Sequence, residues 1–212
     1  MLLGLLLGLA ALPGFALRVH LGRRAALRGF AAEHGWRPAR LRAPRELPLG
    51  RGARRTGAGL AGSWGGRPAR AYQVTVSRAT GGQPEVRTWS VLEVDLPAAL
   101  PDLDLVPLDA FTRAVARLAP PGLELESDDL ARRYRITTTD AFVAAAVLGP
   151  RTVGALLEAV PVRVRVRGDR LVCWAPGRLE PAGLTDRLAA VGAVLDGVPA
   201  FVWSDARLER SA

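Results

Sequence analysis

Pro161-Val162-Arg163-Val164-Arg165-Val166-Arg167-Gly168-Asp169-Arg170-Leu171-Val172-Cys173-Trp174 is the most regular stretch of this chain. Valine at every second position, with arginine between, is the period of a half-buried β-strand. Gly168-Asp169 has the composition of a two-residue turn, so the stretch reads as a hairpin whose second arm is Arg170 to Trp174. Working backwards, Tyr72, Val74 and Val76 alternate with Gln73, Thr75 and Ser77. The turn-rich run Ala79 to Pro84 leads to a second strand, Val86 to Leu96, and a shorter strand near Ala58 to Trp64 precedes them. Leu103 to Leu108 reads as a further strand, and Tyr134 to Thr138 as another.

Helices punctuate the second half. Asp109 is placed to cap a helix bearing Phe111, Val115 and Leu118, stopped by Pro120-Pro121. Leu123-Glu124-Leu125-Glu126 alternates, and Ser127 caps a turn running to Arg133. Asp140 caps a helix to Leu148, Gly149 stops it, and Pro150 opens the next, which runs to Val160. Leu184, Leu188, Val191 and Leu195 are spaced 4, 3 and 4 on a last helix, Pro181 to Asp196, closed by Gly197 and Pro199. Short-turn strands with helices gathered later predict an α+β fold with a mainly antiparallel sheet and a C-terminal helix. A pleckstrin-like barrel is one version of that topology.

The N-terminus reads differently. Met1 to Leu17 is an apolar run, and Val19 to Gly22 extends it to about the 20 residues that a single membrane span requires. No arginine precedes the run and no clean A-x-A cleavage site follows it, so an anchor is preferred to a cleaved signal that would release a secreted body. Arg18, Arg23, Arg24 and Arg28 follow the run directly, which by the positive-inside rule puts the body in the cytoplasm, below the inner membrane. The expected organisation is 1–22 as transmembrane anchor, 23–55 as basic juxtamembrane helix and linker, and 56–212 as an α+β domain. Within the middle segment, 23–35 is expected helical with Gly35 as its stop, and Arg37 to Arg55, with seven Arg and three Pro, is expected irregular.

Charge supports that division. All 29 basic residues of the 212 are arginine, and the net charge is +9. Residues 1–55 hold 11 Arg against Glu33 and Glu46, while 56–212 holds equal numbers of Arg and carboxylates. A neutral body is not built to grip a polyanion, so nucleic acid is disfavoured as a partner. Anionic lipid headgroups suit the basic segment: each Arg near a negative leaflet adds about 1 kcal/mol. Candidate membrane-surface and anion-binding residues are therefore Arg18, Arg23, Arg24 and Arg28, and the strand stripe Arg163, Arg165 and Arg167, whose guanidinium forks suit phosphate. The bland reading of the stripe is a face paired with carboxylates of a neighbouring strand.

Enzymatic material is scarce. One cysteine excludes an internal disulfide and paired-cysteine zinc sites, and the absence of lysine excludes a P-loop or Schiff-base mechanism. Gly57-Ala58-Gly59-Leu60-Ala61-Gly62 has dinucleotide spacing, but it precedes a strand instead of a helix, and a Gly-rich strand is the preferred reading. Ser63 lies one residue short of a nucleophile elbow, with both histidines upstream of it. Cys173, the single thiol, could be matched with His34, but a strand cysteine beside Trp174 reads as core. Asp102, Asp104, Glu124 and Glu126 could serve a carboxylate-dependent hydrolase, against the simpler reading of a solvated edge. No catalytic residue, metal site or cofactor is assigned. The expectation is a membrane-anchored binding or scaffold module of unknown activity, with a hydrolase or a membrane-tethered nucleic-acid binder as alternatives.

The chain also carries Leu125-Glu126-Ser127, Tyr134-Arg135-Ile136, Asp140-Ala141-Phe142, Leu148-Gly149-Pro150, Ala155-Leu156-Leu157, Cys173-Trp174, Gly177-Arg178-Leu179 and Pro199-Ala200-Phe201-Val202-Trp203 in that order. Behind an N-terminal span and a basic segment, this resembles uncharacterised membrane-anchored proteins of high-GC actinobacteria. The resemblance implies an anchor and a source. It implies no site residues.

Overall fold

The structure, a computed structural model, describes residues 18, 21–41, 53–55, 59–80, 83–108 and 127–204. The Met1 to Leu17 run, the Asp109-capped helix with Phe111, Val115 and Leu118, and the Leu123 to Glu126 alternation lie outside these residues. The described fold is α+β, with one antiparallel sheet of seven strands. Helix α1 covers residues 21–33. The strands are β1 (Arg37–Ala39), β2 (Ala53–Arg55), β3 (Gly59–Trp64), β4 (Arg67–Thr80), β5 (Gln83–Pro107), β6 (Tyr134–Thr138) and β7 (Arg163–Pro176). The later helices are α2 (Asp128–Arg133), α3 (Ala141–Val147), α4 (Pro150–Glu158) and α5 (Pro181–Asp196).

β5 is the spine. Its first half pairs with β4, from Thr80↔Gln83 to Ala69↔Val94, and its far end pairs with β6, from Leu103↔Thr138 to Pro107↔Tyr134. β7 runs along the other edge of β5, from Trp89↔Pro176 to Leu105↔Val164. Among the described residues the path β1-β3-β4-β5-β6 is open, with no strand pairing that closes it into a barrel.

Three sequence expectations are corrected. The Val162 to Trp174 hairpin is one continuous strand, because β5 is long enough to pair with both expected arms. Gly168 does take a positive φ of 55°, but it serves a bulge opposite Leu100 where the β5 register also shifts. The strands expected at Val86 to Leu96 and Leu103 to Leu108 are likewise one strand. Pro97 and Pro101, which lack the N–H that a ladder requires, fall where the pairing with β7 is interrupted. Finally, the expected irregular stretch from Arg37 to Arg55 supplies two strands. β1 pairs with β3 (Arg37↔Ala61) and β2 pairs with β4 (Ala53↔Val76).

The local punctuation in the second half acts as its chemistry requires. Leu130 N–H donates to Ser127 Oγ at 3.3 Å, and Val143 N–H donates to Asp140 Oδ1 at 3.0 Å. Pro150 and Pro181 open α4 and α5, where the missing N–H costs nothing. α5 lays Leu184, Leu188, Val191 and Leu195 into one apolar cluster with Leu92, Val94, Leu171 and Cys173 of the sheet. Each such leucine contributes about 1.5–3 kcal/mol of burial. Among the described residues no single helix is long and apolar enough to cross a membrane. α3 and α4 together have the composition but are bent by 66°.

Candidate functional site

α1 is amphipathic in an unusual setting. Leu27, Phe30 and Ala31 are buried in the same cluster as α5, and Trp36 joins them just past the helix end. Gly35, at φ 67°, turns the chain so that the Trp36 N–H can donate to the Ala31 carbonyl at 2.7 Å. The Trp36 ring then lies on Gly62 so closely that a Cβ there would overlap it. The glycine spacing of 57–62 therefore has a packing meaning at Gly62: a bare strand surface admits the indole. Described residues on both sides of the expected 55/56 boundary share one sheet and one core.

The outer side of α1 is basic. Arg18, Arg24 and Arg28 are exposed, and Arg24 and Arg28 lie one turn apart on one face. Arg23 turns the other way, its Nε 2.9 Å from Glu180 Oε1, which ties the start of α1 to the N-cap of α5. Arg18, Arg23, Arg24 and Arg28 thus divide into three that face out and one that fastens the helix.

The second arginine stripe lies on the sheet face opposite the helices. Arg165 grips Asp104 with two bonds, Nε to Oδ1 at 2.6 Å and Nη2 to Oδ2 at 3.0 Å, and lies 5.7 Å from the Trp174 ring centre. Arg167 donates from Nη2 to Asp104 Oδ2 at 2.9 Å and reaches Asp102 at 3.4 Å. Arg163 stacks over Trp89 at 5.7 Å. Asp102 and Asp104, offered by the sequence as hydrolase carboxylates, are counter-charges to this stripe. Glu124 and Glu126 lie outside the described residues.

Sequence reasoning missed two further pairs on that face. Arg70 holds Asp95 through two 2.7 Å bonds. The Tyr72 hydroxyl donates to Glu93 Oε1 at 2.5 Å, and Glu93 is only 3% exposed. Burial pushes the Glu93 carboxyl above its ordinary range, opposed by Tyr72, Arg170 and Arg70. The signal lay in Val91-Leu92-Glu93-Val94-Asp95-Leu96, where carboxylates occupy every second place of a strand.

Among the described residues conventional reactive groups are not assembled. The Cys173 thiol is wholly buried and pushed up to about 12 by that burial, with Arg187 pulling it back. His34 is exposed at the end of α1, its ring stacked on Phe30 at 4.1 Å. Ser63 is exposed on β3. Among the described residues no three His, Cys, Asp or Glu side chains gather to hold a metal ion. Phe142, in the first turn of α3, and Phe201 form an exposed pair with ring centres 6.1 Å apart.

No protein-family model matches the chain, and no curated protein is detectably similar to it in sequence. A solved structure does share its fold: the mycobacterial trehalose monomycolate transport factor A, TtfA, at a TM-score of 0.51 and 13% identity over 84% of this chain and 97% of that one. At that identity the likeness is one of architecture, and its mycobacterial source is in keeping with the actinobacterial resemblance of the sequence.

Proposed function

We propose that this protein is a single-pass, membrane-anchored, transport-associated module, with a non-catalytic scaffold body on the cytoplasmic side of the inner membrane. The observation that carries the reading is α1. It begins within four residues of the apolar Met1 to Leu17 run, buries Leu27, Phe30 and Ala31 in the body, and leaves Arg24 and Arg28 outward. A body joined to its span by a packed helix is held at the bilayer surface, with the outward arginines placed for anionic headgroups. The shared fold with TtfA supports a transport-associated scaffold, and the paired state of Asp102 and Asp104 gives the hydrolase reading nothing to work with. Carbonate extraction of membranes bearing a C-terminal reporter active only in the cytoplasm tests the proposal. The expected result is a membrane-retained, active reporter. A soluble or silent one overturns it.

A further inference from the structure

Arg187 is a charged side chain in the apolar core with no counter-ion among the described residues. It is 4% exposed on α5, and neither Nε nor Nη2 has a hydrogen-bond partner. The other buried charges, Glu93 and Asp104, are both engaged. The groups nearest to Arg187 do not neutralise it. Cys173 is a thiol pushed up to about 12 and therefore uncharged at neutral pH, and Asp186 is exposed on the helix surface. Burial lowers the Arg187 pKa accordingly. A buried cation without a partner among the described residues is a cost to the fold, and an anion bound beside it would offset that cost.

The side chain points to where that anion would sit. Helical side chains lean toward the N-terminus, and the Arg187 guanidinium folds back over the first turn of α5. Its Nη1 and Nη2 would lie 3.5 and 3.6 Å from a Cβ on Gly183, so the glycine presents no side chain to the fork at that position. That first turn is itself uncapped. The N-cap Glu180 makes no side-chain capping bond and is held by Arg23 instead, and Pro181 has no N–H. The N–H groups of Ala182 and Gly183 thus receive no side-chain acceptor from the cap, at the positive end of a 16-residue helix. Arg178 is exposed three residues upstream of Pro181, after a chain turn at Gly177 with φ 105°.

We propose that Arg187, with the first turn of α5, forms a binding site for a phosphate-class oxyanion. A bidentate guanidinium on one side and helix N–H groups on the other are the two protein devices best matched to phosphate oxygens. Two sources present that chemistry: a phospholipid headgroup and a soluble phosphate. Arg23 fastens α1 beside the site, so on the anchored reading the site lies at the bilayer surface. The headgroup source rests on that reading, and the site itself does not.

The test uses the full chain in maltoside micelles, which carry no phosphate, with the thermal midpoint followed against inorganic phosphate at constant ionic strength. The wild-type midpoint is expected to rise with phosphate, as ligand linkage requires. Arg187→Met is expected to be unresponsive and to melt no lower than wild type without phosphate, because it removes an uncompensated buried charge. An arginine that serves packing alone would instead leave Arg187→Met less stable, with any phosphate response intact, and that result overturns the site. Should Arg187→Met not fold, Arg187→Lys keeps the charge and loses the fork. A phosphate affinity at least about tenfold weaker is then expected, and an unweakened Arg187→Lys overturns the proposal. Maltoside micelles with one third phosphatidylglycerol separate the sources. A midpoint raised by the lipid and no longer responsive to phosphate assigns the headgroup, and continued response assigns a soluble phosphate. No response to either overturns the site. A chain that proves soluble in carbonate yet answers to phosphate would remove the anchored reading and leave the oxyanion site standing.

Discussion

Ala71, Leu92 and Cys173 lie in one row across β4, β5 and β7 and meet the helices; one step along, Tyr72, Val91 and Trp174 form the next row and face the other way. Both rows are buried. The helix side is sealed by apolar contact, with Arg187 as a buried charge that has no ion-pair partner among the described residues. The opposite side mixes a small cluster of Tyr72, Val74, Val76, Val91, Val172 and Trp174 with a ladder of charges: Arg70 to Asp95, Tyr72 to Glu93, and Arg165 and Arg167 to Asp104. One face therefore draws its stability from area removed from water. The other holds buried charge only because partners from distant strands meet it.

The largest effects should fall on the apolar side. Leu171→Ala, at a fully buried position, should cost about 2–5 kcal/mol, read as a lowered urea midpoint with an unchanged slope. On the polar side, Asp104→Ala removes the carboxylate that Arg165 and Arg167 share and should cost about 3 kcal/mol, whereas the double change Asp104→Leu with Arg165→Met should restore most of it. A double variant as unstable as Asp104→Ala would mean that the ladder is not a paired unit. Glu93 sharpens the contrast through pH. Its carboxyl is raised in the folded state, so the native protein binds the proton more tightly than the unfolded chain does. The stability it lends is full below the unfolded pKa and is lost as pH rises through the folded value. Glu93→Gln should flatten that fall in a series of denaturant midpoints across pH. The smallest effect belongs to the bulge between the two halves of β7. Gly168→Ala meets no atom within 4 Å, so its cost of about 1–2 kcal/mol should come from the positive φ alone.

How much of this was legible depended on range along the chain. Ser127, Asp140, Pro150 and Pro181 act within one turn of themselves, and the helices they start were readable. The β4 alternation was readable for the same reason. The continuity of β7 was not, because it depends on β5, a partner some 70 residues upstream and interrupted by two prolines. β1 and β2 are three residues each, too short for a period to show. Of the candidate residues, Arg165 and Arg167 were visible as a stripe, but their counter-charges lie about 60 residues away in sequence. The slot at Gly62 needed Trp36, and the exposure of Arg24 and Arg28 needed the knowledge of which side of α1 is buried.

α1 belongs to the folded body and is not a tether beside it. Hydrogen exchange of the full chain in membranes tests this directly, comparing the amides of residues 21–33 with those of α5. Protection of α1 on the timescale of α5 is the predicted result, with Gly62→Ala, which displaces Trp36, lowering it selectively. Exchange of residues 21–33 within seconds, while α5 stays protected, would contradict it.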